Sequence, residues 1–150
     1  MRLGVIVAAI AVLATASAAY ANSGVDARKA LMKSIGGNVK GVAGYVKGEN
    51  AETPADVAKR AAAIKADAGK IADAFGDKIH VENAGDVKTT ASPAIWEKWS
   101  EFTDTASNLA SAAGGLEMAA AGGDKAAITA AFGAMTKNCG ACHKPFRVKK

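Results

Sequence analysis

Cys139-Gly140-Ala141-Cys142-His143 is the stretch of this 150-residue sequence whose residue types and spacing do chemistry. On a helix, two thiols three residues apart project to one side, where they can add across the two vinyl groups of a haem and form thioethers. His143 lies four positions beyond Cys139, so its imidazole rises from the same face toward the iron. Chance is a poor rival. Two cysteines and two histidines scattered over a chain of this length give the pattern with a probability on the order of 10⁻⁴. A thioredoxin-like dithiol wants a βαβ setting, which this chain lacks. Zinc would need a fourth ligand beside Cys139, Cys142 and His143, and the other histidine, His80, sits in a distant loop with no ligand role. Cysteines at i and i+3 of a helix are poorly placed for an unstrained disulfide.

The elements that position this motif are helices. Half of the residues are hydrophobic but only 5% are aromatic, with three prolines and few runs of β-branched residues. That composition excludes a sandwich or barrel, and the apolar fraction excludes disorder. Four stripes of alternating three- and four-residue spacing follow one another. They are Val25, Met32, Ile35, Val39, Val42 and Val46; Val57, Ala61, Ile64, Ala68, Ile71 and Phe75; Ile95, Trp99, Phe102, Ala106, Leu109, Ala113 and Leu116; and Ile128, Phe132, Met135, Cys139 and Cys142. Each stripe occupies one face of a helix, and such faces pack at shallow angles. Thr53-Pro54-Ala55-Asp56, Ser92-Pro93 and Asp124 supply N-terminal caps. Connections 48–52 and 119–123 are short, and 76–91 is the one long link. The expected fold is all-α: an antiparallel up-down-up-down four-helix bundle with the haem in its core. Trp96 and Trp99 are expected to pack in the core and between helices.

Residues 1–21 read as a cleaved signal peptide. Met1-Arg2 is followed by an apolar stretch from Leu3 to Ala14 and then by the cleavage pattern Ala19-Tyr20-Ala21. That stretch is short of the roughly 20 residues a spanning helix needs. Residues 22–150 would then form one soluble, exported domain without a membrane span, periplasmic in a Gram-negative cell. The net charge of +5 is modest. Acids are interspersed with the lysines and no aromatic platform accompanies them, so nucleic-acid binding is not expected. No acid–base pair or nucleophile stands near the haem motif, which argues against an enzyme.

A bundle with C-x-x-C-H near its C-terminus resembles the cytochrome c-prime family, the class II c-type cytochromes. The resemblance covers essentially the whole chain after residue 21. It is carried by Arg28-Lys29-Ala30-Leu31-Met32-Lys33 and Gly36-Gly37, by Pro93-Ala94-Ile95-Trp96, and by Cys142-His143-Lys144-Pro145-Phe146-Arg147. It implies one haem c, bound through Cys139 and Cys142, with His143 as proximal iron ligand. Pro145 is a departure, since the family more often has a helix-compatible residue there, and it bears on how Phe146 and Arg147 are placed.

In the family, the position opposite the iron falls one turn after an arginine on helix one. Here that arginine is Arg28, and the residue is Met32. High-spin members carry a non-coordinating Leu or Phe there, whereas low-spin members use methionine as a ligand. The resemblance thus implies Met32 as distal ligand of a low-spin His/Met haem that carries single electrons, and Arg28 as partner of a haem propionate. The alternative is a high-spin haem that binds nitric oxide or carbon monoxide at a five-coordinate iron, with Met32 as core filling. Met118 and Met135 fit the ligand role less well. Lys33, Lys40 and Lys47 form one stripe, and Lys137, Lys144, Lys149 and Lys150 cluster at the haem end. Such lysines are either an ordinary solvated face or a docking field for acidic redox partner proteins. Family members dimerise through the first two helices, and the Gly- and Ala-rich outer surfaces here are compatible with a homodimer.

Overall fold

A computed structural model describes the backbone of residues 4–78 and 88–148, and within those segments the side chains from residue 24 onward. His80, the loop histidine, lies outside the described residues. The helices are α1 (Gly4–Lys47), α2 (Pro54–Ala68), α3 (Ile71–Ala74), α4 (Ala94–Glu97), α5 (Trp99–Gly122) and α6 (Lys125–Phe146). α1 packs on α2, α2 on α5 and α5 on α6, so that sequential long helices are neighbours around the bundle. α1 and α6 close the ring but touch least. The space between them is where the site lies.

The stripes read from the sequence form the core. Val25, Ile35, Val42, Val57, Ile64, Ile95, Phe102, Leu116, Ile128 and Met135 are buried, while Met32, Val39, Phe132, Cys139 and Cys142 are partly buried and packed against them. Burial at about 25 cal/mol per Å² of apolar surface, repeated along four stripes, holds the helices together. Trp99 departs from expectation. It is 36% exposed and leans on Phe102 from outside, with ring centroids 5.6 Å apart. Helix three is broken at Lys98, whose φ of −122° and ψ of 49° are not helical, and this rotates the start of α5 away from α4. Trp96 turns inward in its place and donates its indole N–H to the Phe75 carbonyl at 2.7 Å.

Other boundaries follow local chemistry. α1 runs unbroken from Gly4, rather than starting after the leader, because the Ala-rich segment favours helix and contains no proline. It ends at Gly48, whose φ of +75° suits glycine. Gly48 N–H meets the Tyr45 carbonyl and Glu49 N–H the Gly44 carbonyl, the paired bonds of a Schellman turn. Thr53 and Asp56 cap α2 reciprocally as a capping box. The second stripe is split at Gly69-Lys70 into α2 and α3. α5 extends to Gly122, so the expected 119–123 connection shrinks to Gly123, in the left-handed region, and Asp124. Asp124 accepts from the Ala127 N–H at 2.6 Å. The cap residue of α4 is Pro93, with the Ser92 hydroxyl accepting from the Ala94 N–H.

Pro145 does not end helix four. α6 continues through it to Phe146, and the Arg147 N–H still donates to the His143 carbonyl at 3.2 Å. In the last turn a proline forfeits one hydrogen bond instead of interrupting a ladder. Phe146 is therefore buried, edge-on to Phe102 at 5.4 Å. The end of the long link is clasped here: Ala91 and Arg147 form an isolated antiparallel bridge, with Ser92 N–H donating to the Phe146 carbonyl and Val148 N–H to the Thr90 carbonyl.

Candidate haem site

A cavity of about 600 Å³ separates α1 from α6. Its α6 wall is Asn138, Cys139, Cys142, His143 and Phe146; its α1 wall is Val25, Arg28, Lys29, Met32, Ile35, Gly36 and Val39. Ile71 of α3, Phe75 just after it, and Phe102, Thr105, Ala106 and Leu109 of α5 form the floor between them. The spacing rule explains the convergence: Cys139, Cys142 and His143 fall within one turn and a quarter of α6, and all three border the same space.

The two cysteines are unbridged. Burial in the apolar wall raises the Cys139 thiol above its ordinary range. Burial raises Cys142 as well; the Thr105 hydroxyl pulls it partly back down, and Cys139 adds a further upward push. Both groups are thus neutral thiols at neutral pH, the form suited to an apolar pocket. His143 borders the cavity while the residue as a whole stays exposed at the rim. Desolvation and then the positive charge of Arg147 lower its pKa, which favours the neutral imidazole that a metal requires. A large apolar cavity with two free thiols on one wall and an imidazole beside them fits a covalently held haem. Ile35, Val39, Ile71, Phe102 and Leu109 supply van der Waals contact to a flat apolar ring, while Lys88, Thr89, Thr90 and Arg147 add a polar stretch to the lining. Among the described residues no cluster of three or more His, Cys, Asp or Glu side chains offers an alternative metal site.

Arg28 and Met32 are brought to the opposite wall, one helical turn apart, as their spacing required. Arg28 is only 3% exposed. Its Nε donates to the Ala74 carbonyl at 2.9 Å, its guanidinium pairs with Asp77, and the rings of Phe75 and Trp96 lie 4.6 and 5.5 Å away. Desolvation lowers its pKa to about 10, so it remains a cation at neutral pH. Any propionate must therefore share Arg28 with Asp77. Met32 is the sole α1 residue on this wall with a soft donor atom, and its neighbours Ile35, Gly36 and Val39 are apolar. Met118 is 73% exposed on α5, and Met135 is buried on α6 itself, so neither faces the motif from across the cavity. Sequence reasoning missed Asp77, Thr105 and Asn138. Asp77 had one signal: a buried arginine needs an acid, and Asp77 is the acid closest behind the second stripe.

Comparison with known proteins agrees with this geometry. The family model described as Cytochrome C' matches residues 23–147. The chain is 36% identical to a cytochrome c' of Rhodopseudomonas palustris over 144 residues, covering 96% of this chain and 94% of that one. It is 35% identical to a cytochrome c-556 of Agrobacterium fabrum over 138 residues, covering 90% and 88%. A solved cytochrome c prime from Alcaligenes xylosoxidans, the nitric oxide complex of a point mutant, superposes with a TM-score of 0.73 at 25% identity, over 87% of this chain and 97% of that one.

Proposed function

The chain belongs to the Cytochrome c' family of monohaem c-type cytochromes, and from that premise we propose that it binds nitric oxide or carbon monoxide at the open face of its haem. Cys139 and Cys142 hold the haem c by thioethers, and His143 is the proximal iron ligand. When bound, the haem supplies an iron that cycles between ferrous and ferric and accepts a diatomic ligand. The chain's own residues decide what reaches it. The observation that carries this reading is the α1 wall beyond its two cations: Arg28 and Lys29 stand at one end, and from Met32 onward the lining is Met32, Ile35, Gly36 and Val39, with no hydrogen-bonding side chain among them. Such a wall favours small, weakly polar gases over water or anions. The nitric oxide complex of the Alcaligenes relative supports the same reading.

A second reading is favoured by one residue. Met32 carries a thioether on that wall, and if it bonds the iron the protein is the low-spin His/Met electron carrier expected from its sequence. Absorption spectra separate the two. A five-coordinate high-spin ferric spectrum, with carbon monoxide taken up on reduction, supports gas binding; a six-coordinate low-spin spectrum with sluggish uptake supports Met32 ligation and overturns the first reading.

We further propose that residues 1–21 are removed before Asn22 and that the mature protein works in the periplasm, where haem is joined to C-x-x-C-H. Downstream of residue 23, no helix among the described residues is long and apolar enough to cross a membrane. Arg28 is the proposed propionate partner, held in place by Asp77.

A further inference from the structure

The positive excess of this protein is not spread over its surface. Residues 125–150 hold six cations, Lys125, Lys137, Lys144, Arg147, Lys149 and Lys150, and no acid, whereas residues 1–124 hold thirteen cations against fourteen acids. The whole excess therefore rides on α6 and the tail after it. Elsewhere most cations are offset: Lys29, Lys47, Lys59, Arg60, Lys65, Lys70 and Lys98 each lie within ion-pair distance of a carboxylate, whereas Lys33, Lys40, Lys78 and Lys88 are not so matched among the described residues. Among the described residues, Lys137, Lys144 and Arg147 have no carboxylate within ion-pair distance, and all three are exposed.

Their placement is specific. Lys137 and Lys144 are seven residues apart, two turns of one helix face and about 10 Å along the axis. Between them on that face lie Gly140 and Ala141, both exposed, whose side chains extend no further than a methyl group. These are the two residues inside the C-x-x-C motif. The outer surface directly over Cys139 and Cys142 is thus a bare window of backbone with a cation at either end.

We infer that this window is a docking face for an acidic redox protein, which lands on Lys137, Lys144 and Arg147 and exchanges an electron with the haem through the Gly140-Ala141 backbone. The inference rests on the haem-bearing reading of the site and holds for either role of Met32. Charge complementarity argues for a protein with a carboxylate patch. The two lysines lie about one Debye length apart at about 0.1 M salt, so they act together on an approaching negative surface.

The test is electron transfer from the reduced holoprotein to an oxidised acidic blue-copper protein, followed by stopped flow as a function of salt. At low ionic strength, Lys137→Glu with Lys144→Glu should slow the reaction about tenfold, and the effect should fall below about twofold in 0.5 M salt. Lys40→Glu with Lys59→Glu changes the net charge equally, on α1 and α2, and should slow it less than about twofold. Equal slowing by the two pairs, or none by the first, overturns the docking face. So does binding to phosphatidylglycerol vesicles that depends on Lys137 and Lys144 while transfer to the copper protein is unchanged, since the face would then meet a membrane. A pyridine haemochrome spectrum of each protein reports separately on the underlying reading: wild type without covalent haem overturns both.

Discussion

Removing the haem should cost this protein its tertiary structure, and the cavity says how much. A space of about 600 Å³ left empty, at about 24 cal/mol per Å³, amounts to roughly 14 kcal/mol. The whole stability of a domain is about 5–15 kcal/mol. Water entering through the mouth lowers the figure, so it is an upper bound, of the same order as the whole stability. The chain has little to close the gap with, because α1 and α6 meet so little. The triple variant Cys139→Ala, Cys142→Ala, His143→Ala removes both anchors and the imidazole. It should keep much of its far-ultraviolet helix signal and lose both near-ultraviolet ellipticity, reported by Trp96, and a cooperative urea transition. A haem-free variant that unfolds cooperatively with more than half of the holoprotein's stability would refute the cavity argument.

Met32→Leu keeps volume and should change stability by less than about 1.5 kcal/mol. With an open iron, its ferric spectrum and potential match wild type; conversion from low spin to high spin in this variant would show that Met32 was a ligand. Met32→Ala should cost about 1–2 kcal/mol, at or below the low end for buried methionine because the residue is half-buried, and should speed carbon monoxide association several-fold in flash photolysis. Arg28→Leu should destabilise the fold by about 3 kcal/mol in urea melts, since it takes the guanidinium from the mostly covered Asp77 carboxylate, and Asp77→Asn made with it should recover part of the loss. Ser34 donates to Asp67 at 2.6 Å and, ahead of Lys70, holds that carboxyl below the usual carboxylate range. Stability from this bond is present above the unfolded carboxylate pKa and lost as pH falls through the lowered folded value. Ser34→Ala should therefore cost about 1 kcal/mol at neutral pH and less in acid, as read from urea midpoints across the acid range.

Much of the site was legible because it is local. Cys139, Cys142 and His143 lie within five residues, and one turn fixes Arg28 relative to Met32. The buried stripes were legible for the same reason, since a 3.6-residue period is a property of the chain itself. What escaped depends on distant partners. The break at Lys98 puts Trp99 outside and Trp96 inside, a choice made by the Phe75 carbonyl 21 residues earlier. Pro145 stays helical because Phe146 is held by Phe102 and by the strap through Ala91 and Ser92. Asp77 reaches Arg28 across a sequence gap of nearly fifty residues, which no periodicity encodes.

Covalent haem on α6 is the centre of the account, and denaturing mass spectrometry of the purified protein, made in a host that matures c-type cytochromes, tests it most directly. The expected mass is that of the chain plus one haem, unchanged by acid–acetone extraction and traced after digestion to the peptide bearing Cys139 and Cys142. A chain that appears at its bare polypeptide mass, or loses its haem to acid–acetone, would contradict it.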